Sequence, residues 1–215
     1  MNDVQLVVLA HYQDVFDPFR ETADQYEPSL KKILVDDSKT GINLPDSWRV
    51  VAGVKPFIYG RNVNIGWRAA GDSDVILCGD DVRFTGPFVE TLQRVAYSDP
   101  TIGICCPEMQ GQSPFVCGYF KREMLNKVGG MDEEFTGYGF DDNWFCHQMG
   151  KAGYRTQPTT DVKVIHQAAT TFYRREREGA LSVQGSCDRN KELFEKKIGQ
   201  PPVKGEDRWL KEGQE

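Results

Sequence analysis

Short apolar runs alternate with helical patterns along this chain, and that alternation restricts its fold more than any other feature. Residues 5–10 and 32–35 are apolar and rich in β-branched side chains, which predicts strands. The polar segment between them, residues 17–28, carries apolar side chains at near-helical spacing. Strands that alternate with helices build a mostly parallel sheet that helices flank. We therefore expect an α/β fold.

The rest of the chain continues this pattern. A short strand at residues 48–51 precedes an apolar run at 74–82, and Pro87 opens the next helix, as the first turn of a helix allows. Later strands are predicted at residues 101–106, 115–120 and 161–166, and later helices at 121–128, 142–152 and 187–197. With 215 residues the chain suits one well-buried domain. We expect this domain to span residues 1–185, with a C-terminal helix and a loose tail at 186–215 packed on it.

The charge of the chain restricts its partners. A net charge of −6 argues against broad affinity for a nucleic-acid backbone. One local basic run, residues 173–177, mixes arginines with Glu176. This run is either a solvated helix face or a local contact for phosphates.

The sequence also predicts the compartment. No apolar run approaches the roughly eighteen residues that cross a bilayer, and the N-terminus lacks a basic leader. The six cysteines form no C-x-x-C pair and show no metal-finger spacing. We therefore expect a soluble protein in the cytoplasm, without a signal peptide and with reduced, mostly buried thiols.

Two adjacent acids, Asp141 and Asp142, lie beside glycines and aromatic residues where a helical pattern begins. The free amide groups and the dipole of a first helical turn stabilise carboxylates, so helix capping is one explanation for the pair. A role in chemistry is the other explanation, and a second acidic cluster in the chain favours it.

That second cluster, Asp80 and Asp81, ends the apolar run at residues 74–82. The C-terminal ends of strands are where open α/β sheets bind ligands. One of only three histidines, His166, ends the strand predicted at residues 161–166, where it is either a structural residue or a metal ligand. The two acidic pairs and the histidine together suit a divalent cation and a base.

Six segments of the chain occur in the order found in one enzyme family: LVVLAHYQ, KILVDDSKTG, GRNVNIGWRAA, VILCGDDV, VGGMDEEFTGYGFDDNWFCHQMGKAGY and VIHQ. A later segment, DRNKELFEKKIG, matches the family's common C-terminal helix. This ordered set resembles the GT-A glycosyltransferases, specifically the large inverting, family 2-type transferases that use nucleotide sugars. The resemblance covers about residues 4–200. It implies a single Rossmann-like GT-A domain with a mixed, mostly parallel sheet.

The resemblance implies a metal site. Asp81 matches the metal-holding acid of the family's motif, and Asp80 matches the middle position, which faces the ribose or the sugar. Gly79 replaces the usual first acid, which leaves one carboxylate fewer for the cation. His166 matches a late histidine that completes the metal shell. Because an imidazole ligand suits Mn²⁺ better than Mg²⁺, we expect Mn²⁺, with Mg²⁺ as the alternative.

The resemblance also implies a base and an acceptor site. Asp142 matches the family's general base, which takes the proton of the acceptor hydroxyl as that hydroxyl attacks the anomeric carbon. A base on one side and a leaving diphosphate on the other give direct displacement with inversion. Asp141 is expected to hold acceptor hydroxyls or to orient the loop. Trp144 is expected either in the core or as a platform for a sugar.

Contacts for the nucleotide follow from the same resemblance. Asp37 matches an acid that meets the base or the ribose, and a turn acid is the other explanation. Arg61 and Asn62 match positions that contact the nucleotide or the diphosphate, since a planar guanidinium is a good phosphate partner. A surface ion pair is the other explanation for Arg61. Tyr12 is expected to stack near the base.

The sequence thus predicts a metal-dependent inverting glycosyltransferase that moves a sugar from a nucleotide donor to a hydroxyl, and we expect the donor to be a UDP sugar. A nucleotidyltransferase is one alternative, although residues 11–16 lack a glycine-rich, lysine-bearing phosphate cradle. A non-catalytic domain that binds nucleotide sugars is another. The acceptor is open among saccharides, lipid-linked sugars, protein side chains and hydroxylated bases in DNA. Small enzymes of this type also occur in phages, which would place this one in the host cytoplasm.

Overall fold

The computed structural model describes residues 3–55, 57–109, 111–167, 170–179 and 182–198. The strands in these ranges are β1 (Val4–Ala10), β2 (Lys31–Asp36), β3 (Trp48–Ala52), β4 (Asp74–Gly79), β5 (Val82–Phe84), β6 (Ile102–Pro107), β7 (Cys117–Phe120), β8 (Arg155–Thr159) and β9 (Val164–His166). The helices are α1 (Gln13–Tyr26), α2 (Tyr59–Ala69), α3 (Val89–Ala96), α4 (Arg122–Val128), α5 (Asp141–Lys151), α6 (Thr170–Arg177) and α7 (Val183–Ile198). No helix in the described ranges is both long and apolar enough to cross a bilayer.

Seven strands form one sheet in the order β3-β2-β1-β4-β7-β6-β8, and β5 pairs with β9 in a small second sheet. β1 lies between β2 and β4 and is parallel to both. β7 is antiparallel to its neighbours β4 and β6, whereas β8 is parallel to β6. The expected α/β fold with a mixed, mostly parallel sheet is confirmed.

Helices cover both faces of the large sheet. Leu6 and Val8 of β1 face α1 and α3, while Val7 faces α2, α4 and α5 across the sheet. Such alternation follows from the two-residue period of a strand. α2 approaches β1 so closely that a Cβ at Gly66 would lie 2.3 Å from a methyl carbon of Val7, so this contact requires glycine.

Three details differ from the sequence predictions. The run at residues 74–82 is not one strand, because β4 ends at Gly79 and β5 belongs to the small sheet. The strand predicted at residues 161–166 is reduced to β9, and β8 was not predicted, since its sequence RTQPT is polar. The predicted C-terminal helix is α7, whereas the predicted loose tail lies outside the described residues.

The cysteines agree with the expectation of reduced, mostly buried thiols. Five of the six are buried and Cys187 is half-buried. Cys78 and Cys117 face each other across β4 and β7, with their sulfur atoms 3.3 Å apart. Burial raises the pKa of the Cys78 thiol well above its ordinary value, so this thiol stays protonated.

Asp74, at the start of β4, links three elements although its carboxylate is fully buried. The hydroxyl groups of Tyr97 and Tyr119 donate to its Oδ2, and the backbone N–H of Arg122 donates to its Oδ1, each at 2.7 Å. These charge-assisted bonds connect α3, β7 and α4 to the central sheet. Burial and the Asp74 carboxylate raise the pKa of Tyr119, so its hydroxyl remains a donor.

We expect Asp74→Asn to lower the free energy of unfolding by about 2–3 kcal/mol, because an amide group then faces two hydroxyl donors. Urea unfolding followed by circular dichroism measures this loss. Asp72→Asn, two residues earlier at an exposed position, is the matched control and should change stability by less than about 0.5 kcal/mol. Equal stability of the two variants would contradict a structural role for the Asp74 network.

Candidate active site

The loop between β4 and β5 holds the first acidic pair. Asp80 and Asp81 are both buried, and burial, reinforced by the charge of Asp81, raises the pKa of Asp80 to about 8. A Cβ at Gly79 would lie 2.8 Å from Oδ1 of Asp81. The glycine that replaces the expected first acid therefore leaves room for the Asp81 carboxylate in its present orientation.

His166 reaches Asp81 because β5 and β9 pair antiparallel, with Val82 opposite His166. The imidazole Nε2 lies 3.3 Å from Oδ1 of Asp81, and Nδ1 lies 2.6 Å from Oε1 of Gln112. If Nδ1 donates to the Gln112 oxygen, Nε2 presents either a second proton or a lone pair beside the carboxylate. A lone pair and a carboxylate oxygen side by side are two ligands suited to one cation, and the Gln112 contact orients the ring.

These two side chains do not form a complete metal site by themselves. Within the described residues, no group of three histidine, cysteine, aspartate or glutamate side chains converges to hold an ion. Divalent cations in phosphate-transfer and related sites commonly take one or two protein carboxylates and fill their other positions with substrate phosphates and water. The Asp81–His166 pair fits such a partial ligand set.

Asp141 and Asp142 form the first two residues of α5. The residue at the N-cap is Phe140, in the left-handed conformation with φ 67°, and no side chain caps this helix at that position. Neither acid is the N-cap residue, but backbone N–H groups of the first turn hydrogen-bond to both carboxyl groups, so the interaction with the helix start that the sequence suggested is present. The Asp142 carboxylate accepts a hydrogen bond from the backbone N–H of Asn143 at 2.9 Å, and Ser113 also hydrogen-bonds to it.

The environment of this pair favours the protonated form. Burial raises the pKa of Asp141, and the neighbouring charge of Asp142 raises it further. Burial likewise raises the pKa of Asp142, against the opposing effect of the Ser113 hydrogen bond. Carboxyl groups with raised pKa values in a cavity are suited to proton transfer near neutral pH.

One cavity of about 440 Å³ brings these groups together. Asp81 and His166 line it, and Asp141 and Asp142 line it as well. Its remaining wall is rich in aromatic side chains, namely Tyr59, Phe115, Tyr138, Phe140 and Phe172. The cavity therefore combines a possible cation site, two carboxyl groups and flat apolar surfaces, in a volume typical of small-molecule sites.

Three residues predicted to bind the nucleotide sugar, namely Tyr12, Asp37 and Asp80, are contacted by side chains of α6. Nη1 of Arg175 binds Oδ2 of Asp37 at 2.8 Å, and the hydroxyl of Thr171 lies 3.2 Å from Oδ1 of Asp80. The guanidinium carbon of Arg174 lies 3.8 Å from the ring centre of Tyr12. The basic run at residues 173–177 was predicted to be either a solvated helix face or a phosphate contact. Within this run Arg175 is buried, so that part of it is not solvated.

Asn62 and Asp37 are neighbours, since a Cβ at Gly53 would lie 3.2 Å from Oδ1 of Asn62 and 3.0 Å from Cβ of Asp37. Neither Asn62 nor Arg61 lines the cavity. The Asn62 side-chain oxygen accepts the backbone N–H of Val54 at 2.8 Å. Nε of Arg61 binds Oε2 of Glu133 at 2.8 Å, as in the surface ion pair considered from the sequence. A phosphate contact for Arg61 stays a prediction. Trp144 packs near Phe135 and Phe194 and is not part of the cavity wall.

Sequence reasoning missed several residues of the site. Tyr59 begins α2 immediately before the GRNVNIGWRAA segment, and its position next to that segment was the available signal. Burial, followed by the charges of Asp141 and Asp142, raises the pKa of Tyr59 well above its ordinary value, so its hydroxyl remains a donor. Gln112 and Ser113 lie in a loop without any motif, and only the folded chain brings them to His166 and Asp142.

Comparisons with known proteins agree with this architecture. No protein-family model and no curated protein matches the sequence. Among solved structures, a mannosyltransferase from Pyrobaculum calidifontis in complex with GDP-Man and Mn²⁺ is similar with a TM-score of 0.65 and 16% identity, covering 96% of this chain and 67% of that protein. The catalytic domain of Drosophila β1,4-galactosyltransferase 7 in complex with xylobiose is similar with a TM-score of 0.61 and 17% identity. This match covers 96% of this chain and 84% of that protein.

A third similar structure is GalNAc-T7 with UDP, GalNAc and Mn²⁺, with a TM-score of 0.63 and 11% identity. The match covers 77% of this chain but only 44% of GalNAc-T7. At these identities the likeness concerns the arrangement of the backbone. The chain has the GT-A fold on which these glycosyltransferases are built.

Proposed function

We propose that this protein is a metal-dependent inverting glycosyltransferase that moves a sugar from a nucleotide diphosphate to an acceptor hydroxyl. The observation that carries the proposal is the shared cavity, in which the Asp81–His166 pair and the Asp141–Asp142 pair line the same space. Such a cavity offers a cation site for a leaving diphosphate and a base for an attacking hydroxyl. The GT-A fold supports the proposal independently.

Asp81 and His166 would hold the cation, and Mn²⁺ is the first candidate because one ligand is an imidazole. When bound, the cation offsets the negative charge that develops on the diphosphate as the glycosidic bond breaks. Asp81 supplies a hard oxygen, and Gln112 orients the histidine ring. Mn²⁺ was also present in the mannosyltransferase and GalNAc-T7 structures, which supports the same choice here.

Asp142 would act as the base. Its partly buried carboxylate takes the proton of the acceptor hydroxyl, and the Ser113 hydrogen bond stabilises the ionised form that can accept this proton. Asp141 would bind acceptor hydroxyls or share the proton of the pair. Attack from the side of Asp142, with departure toward Asp81, gives inversion at the anomeric carbon.

The nucleotide would bind at the groups that α6 now covers. Tyr12 offers a ring for stacking, Asp37 and Asp80 offer acceptors for base or ribose N–H and O–H groups, and Asn62 offers an amide. Because side chains of α6 contact Tyr12, Asp37 and Asp80, a nucleotide at these groups requires α6 to shift. A UDP sugar is the first donor to test, and GDP-mannose is the second because of the mannosyltransferase similarity.

A saccharide is the acceptor class that the site favours. Aromatic side chains beside carboxylates suit a sugar ring with its apolar face and its hydroxyls. A DNA acceptor is disfavoured, because two arginines of the basic run already pair with acids, Arg174 with Asp14 and Arg175 with Asp37. Protein and lipid-linked acceptors, a cytoplasmic location and a phage origin stay predictions.

The direct test is a panel of UDP-glucose, UDP-galactose, UDP-GalNAc and GDP-mannose, measured by calorimetry and by release of the nucleotide to water. We expect one donor to bind and to be hydrolysed slowly with Mn²⁺, and its affinity to fall at least about tenfold with EDTA. His166→Ala should weaken the Mn²⁺ dependence. Binding without turnover would support a non-catalytic domain instead, and binding of no donor would contradict the proposal.

Asp142→Asn should lower turnover about 10²–10⁴-fold and leave donor affinity within about twofold, because the amide cannot accept the proton. Calorimetry and nucleotide release on the same preparation separate the two effects. Asp46→Asn, at an exposed position, is the control for a lost surface carboxylate. Full turnover in Asp142→Asn would remove the base assignment.

Ser113→Ala should move the acid limb of kcat/KM to higher pH by roughly one unit. The hydroxyl stabilises the ionised form of Asp142 and so lowers the pKa of that carboxyl. Without it the pKa rises, and the base becomes deprotonated only at higher pH. Ser98→Ala, at an exposed position, should leave the profile unchanged. An unchanged limb in Ser113→Ala would show that another group sets it.

A further inference from the structure

The loop before Asp141 adopts a conformation that its own sequence does not hold in place. Three of its last four residues have positive φ, namely Gly137 at 84°, Gly139 at 89° and Phe140 at 67°. Phe140 is the only non-glycine residue with positive φ in the described part of the chain. Such a backbone persists only where surrounding contacts fix it. We refer to residues 136–140 as the base loop.

Helix α7 supplies those contacts. The buried side-chain amide of Asn190 donates to the carbonyl oxygens of Thr136, Tyr138 and Gly139, at 3.2, 3.3 and 2.8 Å. The guanidinium of Arg189 also donates to the Thr136 carbonyl. Three carbonyl groups of one short loop thus point at the same side chain, and without that donor their dipoles would repel one another.

Packing adds to this hydrogen bonding. A Cβ at Gly137 would lie 2.2 Å from Oγ of Ser186, and a Cβ at Gly139 would lie 3.1 Å from Sγ of Cys187. The ring of Phe140 lies 5.8 Å from that of Phe194, whose side chain is fully buried. The base loop therefore lies directly on α7, and the glycines are required by this close approach as well as by their φ angles.

We infer that Asn190 is a positioning residue for the proposed reaction, through which α7 sets the place of the Asp141 and Asp142 carboxyl groups in the cavity. The inference rests on the proposed function. The Asn190 amide fixes the carbonyl of Gly139, which belongs to the peptide bond before Phe140. Phe140 is the N-cap residue of α5, and the two acids are the first two residues of that helix. Asn190 does not line the cavity, so it acts through the base loop rather than on the substrate.

The proposed metal ligands, Asp81 and His166, serve as an internal control for this inference. Asp81 and His166 are held by β5, β9, Gln112 and the backbone N–H of Thr170, and within the described residues none of these contacts comes from α7. A change at Asn190 should therefore act on the base and leave binding of the metal and the donor unaffected. A residue that served only overall stability would affect both sides of the cavity together.

The test compares Asn190→Asp and Asn190→Leu with wild type, using UDP-galactose or GDP-mannose, whichever the wild-type protein hydrolyses with Mn²⁺. Both variants remove the donated hydrogen bonds, and Leu does so without adding charge. We expect kcat for nucleotide release to fall about 10–100-fold, because small displacements of a catalytic group are costly. The donor KM and the Mn²⁺ titration should stay within about twofold of wild type.

Asn64→Leu is the control for Asn190→Leu, because an aspartate at this position would face the Glu133 carboxylate, to which the Asn64 amide donates at 3.0 Å. The Asn64 side chain also clamps loop backbone, with its Nδ2 donating to the Met131 carbonyl at 2.9 Å and its Oδ1 accepting from the Met131 N–H at 2.7 Å. It lies outside the base loop, so the substitution should lower the melting temperature as the Asn190 variants do while kcat changes less than about twofold.

Wild-type kcat in the Asn190 variants would overturn the inference while the proposed function stands. A parallel loss of donor binding and kcat in both variants would overturn it too, since it would indicate general damage; donor calorimetry and thermal melting detect this case, including a variant that fails to fold. If the wild-type protein binds and hydrolyses no donor, the proposed function fails first and the inference fails with it.

Discussion

The parallel pairing of β1 with both of its neighbours is the constraint on which the rest of the site depends. Its register sets Ala10 opposite Asp36 and Leu9 opposite Gly79, so three strands end at one level of the sheet. The next residues of these strands, His11, Asp37 and Asp80, are thereby brought together. His11 contacts both acids. Its ring Nδ1 lies 3.1 Å from the backbone carbonyl oxygen of Asp37, and its backbone N–H hydrogen-bonds to the Asp80 carboxyl group.

The opposite side of the cavity is assembled from the second half of the chain. β7 runs antiparallel to β4 and β6, which carries the chain back over the sheet before α4 and the base loop. The small β5–β9 sheet then returns His166 to the acidic loop after β4. Residues separated by 85 positions, Asp81 and His166, are therefore adjacent only because two three-residue strands pair. The small β5–β9 sheet thus assembles the candidate cation site.

The sequence could predict those features that depend on residues close together in the chain. The apolar runs of β1, β2 and β4 and the acids that follow them are adjacent in sequence, so the fold class and the position of Asp80 and Asp81 at a strand end could be predicted. Asp141 and Asp142 were predicted from another local signal, the start of a helical pattern, and they are the first two residues of α5. β8 could not be identified, because RTQPT pairs only at the sheet edge and has no apolar pattern. Its partner, β6, was recognised from its own residues.

The positions of long charged side chains were harder still to predict from the sequence. Arg175 belongs to a run of mixed charge that is typical of solvated helices, yet its guanidinium is buried against Asp37 and lies 4.3 Å from the ring centre of Phe57. Arg61, by contrast, matched a ligand-binding segment and pairs with Glu133 at the surface. The position of an arginine side chain depends on partners that are distant in sequence, and the composition of the local segment does not predict those partners.

The buried acids of this molecule differ in what they contribute to the stability of the fold. Burial raises the pKa values of Asp80, Asp141 and Asp142, which means that the folded protein disfavours their ionised forms. The Asp74 carboxylate is buried too, but three donors satisfy it and join separate elements. One buried carboxylate thus stabilises the core, whereas the others impose a cost that a cation and a substrate hydroxyl can relieve. Under the proposed function, relief of this cost would favour the binding of the cation and the substrate, and the carboxyl groups would be able to exchange protons near neutral pH.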